Sequence, residues 1–127
     1  MKHKTAQLEG ALLDAAVARA LGAGYALDRG SNPPRAMRID STSGMYFPFM
    51  PSSKWGEGGP LIERELIAIE FFQAAKDDDG EGWCATLAVK PPGSVKDTES
   101  VGWAATPLIA AMRAYIASRF GDEVELP

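Results

Sequence analysis

The sequence predicts an α+β domain: two long helices packed on a small, mainly antiparallel sheet with a central β-hairpin. Three observations carry this. Apolar residues recur at helical spacing near each end of the chain, two alternating segments flank a polar turn in the middle, and Gly, Pro and Ser punctuate the remainder. With 127 residues, 46% of them hydrophobic and 24% charged, the chain can bury one core, and a single domain over 1–127 is expected.

The first helix is expected over residues 8–21. Leu13, Val17, Ala20 and Leu21 form one stripe, Leu8, Leu12, Ala15 and Ala16 widen it, and Gly22 and Gly24 end it. Residues 25–60 read as a punctuated stretch, with Ser31-Asn32-Pro33-Pro34 a turn or extended segment, because a residue before proline is steered away from the helical region. Residues 35–40 fit a short strand at the sheet edge. The aromatic segment 45–51 carries Pro48 and Pro51, so it cannot be a central strand: proline supplies no ladder donor. Phe47 and Trp55 are expected to cover the core, leaving Tyr46, Phe49 and Met50 partly exposed. Gly58-Gly59-Pro60 then introduces about one helical turn.

Residues 65–72 place Ile67, Ile69 and Phe71 on one face, and residues 83–89 place Trp83, Ala85, Leu87 and Val89 on one face. Between them Asp79-Gly80 marks the tip of a hairpin. A second loop is expected over 90–100, then a short strand over 101–104. The last helix is the best defined. Thr106 is a good N-cap, Pro107 suits the first helical position, Gly121 suits the C-terminal cap, and Ile109, Met112, Ile116 and Phe120 mark its buried face.

Chemical motifs are sparse. The formal charge is −4 and no basic stripe occurs, so nucleic-acid binding is not expected. Cys84 stands alone, which excludes an intrachain disulfide and favours a reducing cytoplasm, and no segment reaches the roughly 18 apolar residues of a membrane span. Asp77-Asp78-Asp79-Gly80-Glu81 fails as a calcium loop, because Ala75 and Thr86 fall at its two anchor positions. With one His and one Cys there is no zinc or nucleophile motif, and no metal or cofactor is expected. Glu63, Glu65 and Glu70 fit surface charges. Asp14 and Arg113 both interrupt apolar helix faces, and a structural ion pair between them is expected, since an unpaired buried charge costs several kcal/mol.

Three blocks carry a family resemblance. Residues 8–18 follow the pattern L-x-G-x-x-L-D-x-A-V-A, residues 51–65 the pattern P-S-x-x-W-x-x-G-G-P-[LI]-I-E-R-E, and residues 106–124 the pattern T-P-L-I-A-A-M-R-x-Y-[VI]-A-S-x-[FL]-G-D-E-V. In this order they resemble the NinX-like family of small bacteriophage and prophage proteins, which usually carries an aromatic residue where this chain has Ala15. The outer blocks resemble, more loosely, a phage group described as an α-β-α sandwich. The resemblance implies a phage origin and importance for Asp14, Trp55, Gly58, Gly59, Pro60, Glu63 and Arg113. It implies no activity.

The leading reading is therefore a non-catalytic phage accessory protein of the host cytoplasm. It would bind a host or phage protein through the 45–55 loop and its acidic surface, with Trp55, Glu63, Arg64 and Arg113 as candidate binding residues. The alternative is a small-molecule or anion-binding protein, an enzyme included, with a site near Gly58-Gly59-Pro60, Glu63 and Arg113. A third reading is an acidic mimic of nucleic acid.

Overall fold

A computed structural model describes residues 1–73, 82–89 and 98–126. Among these residues the fold is α+β, with three helices, a short 3₁₀ turn at Thr5–Gln7, and eight strands in three small antiparallel sheets. The helices are α1 (Gly10–Ala20), α2 (Trp55–Glu65) and α3 (Pro107–Phe120).

The first sheet ties the chain ends together. Strand β1 (Lys2–Lys4) pairs with β8 (Glu123–Glu125), placing Lys2 opposite Glu125 and Lys4 opposite Glu123. Opposite charges directly across a ladder favour that register. The N-terminal ammonium bonds Glu125 Oε1 at 2.6 Å and holds that carboxyl below its usual range. Just beyond, the buried Thr5 hydroxyl donates to the Gly121 carbonyl at 2.8 Å and locks the 3₁₀ turn to the end of α3.

The second sheet has the order β2-β3-β4, with β2 at Tyr25–Asp28, β3 at Arg35–Ile39 and β4 at Tyr46–Pro48. The 35–40 segment expected at a sheet edge is its middle strand, because Tyr25–Asp28 supplies a partner that the Gly-rich flanks concealed. The proline-broken aromatic segment does lie at the edge. Its packing reverses the expectation: Phe47 is 49% exposed, whereas Phe49 is 8% exposed and joins the core. The strand ends at Pro48, so Phe49 no longer shares the face of Phe47 and turns inward, where the Arg38 guanidinium lies 5.5 Å from its ring centroid.

The third sheet is β5-β6-β7: Ala68–Phe71, Trp83–Val89 and Thr98–Ala104. Phe71 pairs with Trp83 and Ala68 with Thr86, while Trp83 pairs with Ala104 and Thr86 with Val101. The expected Asp79-Gly80 tip, the acidic run 77–81 and residues 90–97 of the second loop lie outside the described residues. The last strand starts at Thr98, earlier than its apolar residues suggest, because the ladder with β6 continues through polar positions.

Helix α3 lies at the centre of the packing. Thr106 Oγ1 accepts from the Ile109 amide at 3.3 Å, and Gly121 ends the helix at φ 79°, as the cap residues predict. Its burial is wider than one stripe, with Ala110 through Ile116 all buried. Helices apolar on every side are core elements. One side packs on the β5-β6-β7 sheet and another on α1, which in turn packs on β2 and β3. Fully buried Ala15, Ala16 and Ala18 keep α1 close to its neighbours.

The expected pair of long helices becomes three, since α2, at 11 residues, is as long as α1 instead of a single turn. Three glycines and Pro60 argue locally against this helix. Tertiary contact overrides them: a Cβ on Gly58 would overlap the Pro51 carbonyl oxygen and lie 2.8 Å from Leu108 Cδ2. The helix stops at Leu66, which holds φ 56° and is 84% exposed. Left-handed geometry costs a non-glycine residue roughly 1–2 kcal/mol. Leu66→Gly is therefore expected to raise stability by about 1 kcal/mol, measurable as a higher urea midpoint at unchanged slope.

Candidate functional site

Four polar residues are buried among those described: Thr5, Asp14, Ser52 and Arg113. Arg113 reaches from the middle of α3 to two carbonyls distant in sequence. Its Nε donates to Leu8 O at 2.8 Å and its Nη1 to Trp103 O at 2.6 Å. These carbonyls belong to the segment entering α1 and to β7, so one guanidinium staples three parts of the fold. Buried main-chain groups need partners, and a planar, always-charged fork supplies several donors at once.

Asp14 holds a different segment. Its Oδ1 accepts from the Ser52 amide at 2.8 Å, and the Ser52 hydroxyl beside it also favours the charged carboxylate. Ser52 and the fully buried Pro51 lie in the 50–54 turn that leads from β4 into α2. Glu57, from the first turns of α2, accepts from the Met50 amide in the same turn. Carboxylates from two helices thus clamp one short turn. Burial pushes the Asp14 carboxyl up to about 6; the bonds from Ser52 oppose that rise and the nearby Glu57 charge adds to it.

The expected Asp14–Arg113 ion pair is not among the salt bridges of the described residues. The Ser52 amide takes up Asp14, and carbonyls of β7 and the α1 entry engage Arg113.

The raised carboxyl has a signed consequence. Between the ordinary value of 3.8 and about 6, the native state binds more protons than the unfolded chain, so this group's contribution to stability falls as pH rises through that window. The loss is at most about 3 kcal/mol. Asp14→Asn keeps an acceptor for Ser52 and removes the titration. Urea melts of the variant are expected to show a flatter stability profile across this window than the parent.

The remaining predicted site residues are on the surface. Trp55, expected to cover the core, instead opens α2 and is 56% exposed. Glu63 is exposed, as is Arg64, whose Nε bonds Glu65 at 3.0 Å. Glu65 also receives Arg119 of α3 at 3.1 Å, linking the two helices at the surface. The described clefts do not bring Glu63 and Arg113 together. Arg113 lines one of about 330 Å³ with Lys4, Thr5, Val101, Asp122 and Glu123, whereas Trp55 lines another of about 300 Å³ with Ser52, Ser53 and residues 106–109.

Sequence reasoning missed Ser52 and Glu57 as functional parts of the turn clamp. Ser52 is a fixed position of the 51–65 pattern, but nothing local tied it to Asp14, and Glu57 falls at a variable position of that pattern. It also missed the exposed pair Phe72 and Trp103, whose rings lie 5.5 Å apart.

Among the described residues, no group of His, Cys, Asp and Glu is arranged to hold a metal ion, and no helix is long and apolar enough to cross a membrane. These features define a small α+β domain whose buried charges are engaged in holding its main chain and whose exposed surface is notably aromatic. The chain belongs to the NinX family of phage proteins: the family described as Bacteriophage P22, NinX, matches residues 4–119. That span takes in α1, α2 and nearly all of α3. No curated protein matches the chain. Family membership supports a phage accessory protein.

Proposed function

We propose that this chain is a non-catalytic accessory protein of the host cytoplasm that binds a host or phage protein through the edge strand β4 and Trp55. The partner is a protein rather than nucleic acid or membrane. One observation carries the reading: Met45, Tyr46, Phe47 and Trp55 are each about half exposed although they fall within eleven residues of one another. Aromatic side chains left in water on a short strand and a helix start are typical anchors of interfaces. The turn between them is pinned by Asp14 and Glu57, so its position is set before a partner arrives. Such preorganisation lowers the ordering cost of binding.

Affinity capture from phage-infected cells, compared between the parent chain and a Tyr46→Ser/Phe47→Ser/Trp55→Ser variant, tests this. The expected result is a protein retained by the parent and lost by the variant at unchanged fold. Equal recovery of every captured protein by the two chains would reject the contact surface.

A further inference from the structure

The β5-β6-β7 sheet has two unlike faces. Antiparallel partners share a face, so Ala85, Leu87, Gly102 and Ala104 stand together and are buried beneath α3. The opposite face carries three rows: Glu70, Cys84 and Trp103; Ala68, Thr86 and Val101; then Ala88 and Glu99. Trp103, Val101 and the adjoining Phe72 are exposed, and Phe72 packs on Trp103. Glu70 and Glu99 are exposed as well, and no Lys or Arg stands on these rows. Cys84 stands directly beside Glu70 in the floor of this face, and Glu99 lies two rows along: burial raises its thiol first, and the charges of Glu70 and Glu99 raise it further.

We propose that this outward sheet face is a second docking surface, whose occupant is a basic amphipathic segment of another protein. The apolar strip of Phe72, Trp103 and Val101 would receive its apolar residues, and Glu70 and Glu99 its lysines or arginines. Two charges of one sign beside an exposed aromatic strip select a partner of opposite charge. The same charges disfavour a second copy of this chain, because face-to-face docking would bring four glutamates together on molecules of net charge −4. The inference shares with the preceding reading only the premise that the chain binds protein, and it concerns a different surface.

The test titrates the full chain with a capped peptide of alternating leucine and lysine and with its leucine–glutamate counterpart, by calorimetry. The lysine peptide is expected to bind, more weakly as salt rises, and the glutamate peptide is not. Trp103→Ser is expected to weaken binding about tenfold or more, near 1.4 kcal/mol. A Glu70→Lys/Glu99→Lys variant, changed only at exposed positions, is expected to lose the preference for lysine. Tyr46→Ser/Phe47→Ser should leave the affinity unchanged. Equal binding of the two peptides, or a preference that survives the Glu70→Lys/Glu99→Lys change, would overturn the proposal. Sensitivity to Tyr46 and Phe47 but not to Trp103 would overturn it while leaving the β4 contact standing. A dimer in sedimentation that Trp103→Ser dissolves would place a second copy on this face and overturn the basic partner.

Discussion

Gly102→Ala is expected to destabilise the protein by about 3 kcal/mol or more, a large effect for one added methyl group. Gly102 lies opposite Ala85 on the row of β7 that faces α3. A Cβ there would overlap the Ala110 carbonyl oxygen, lie 2.5 Å from the Ala114 amide nitrogen and 3.0 Å from Arg113 Cβ. Two of these three neighbours are helix backbone, which has no alternative rotamer. The sheet would have to lift from the helix, opening their close contact and pulling Trp103 O away from Arg113. Two controls isolate this cause. Val101→Ala, on the outward face of the same strand, should cost under about 1 kcal/mol. Ala114→Gly should fail to rescue Gly102→Ala, because the clash is with main-chain atoms rather than with the Ala114 methyl. Urea denaturation followed by circular dichroism measures all three. A Gly102→Ala loss below about 1 kcal/mol would show that the contact relaxes freely.

Arg113→Met is expected to cost roughly 3–5 kcal/mol, since it leaves buried acceptors without their charged donor. Methionine retains much of the apolar stem, so the loss reads on the guanidinium's polar contacts, the bonds to Leu8 O and Trp103 O among them. Arg113→Lys should fall between parent and Met: an ammonium on a flexible stem can follow one carbonyl but does not reproduce the guanidinium's fixed fork. A double-mutant cycle with Asp14 adds a second readout. Asp14 is held by Ser52, so the losses from Asp14→Asn and Arg113→Met should add within about 0.5 kcal/mol. Coupling well above that would restore the ion pair that the sequence suggested.

The ends of α3 were legible in the sequence because capping is local. Thr106, Pro107 and Gly121 act within a turn of themselves, and the structure uses each in its expected role. Alternation likewise marked the segments that became β5 and β6, because side-chain direction in a strand follows from the backbone alone. The site was less legible. Sequence singled out Asp14 and Arg113 as charges requiring partners, and both are buried. It could not name the partners, since an amide 38 residues away or a carbonyl 105 residues away leaves no trace in residue type. Nor could it foresee that Phe49 turns inward and Phe47 outward, which depends on where β4 ends. The glycines and proline of α2 spoke against a helix locally, and only the close approach of Gly58 to Pro51 and Leu108 explains its full length. Caps and periodicity thus marked α1, α3, β5 and β6, and residue type marked the anomalous charges, whereas α2 and the strands β1, β2 and β8 had no such local signal. Tertiary structure decided which groups meet, because main-chain donors and acceptors are alike at every position and only packing selects those left in need of a side chain.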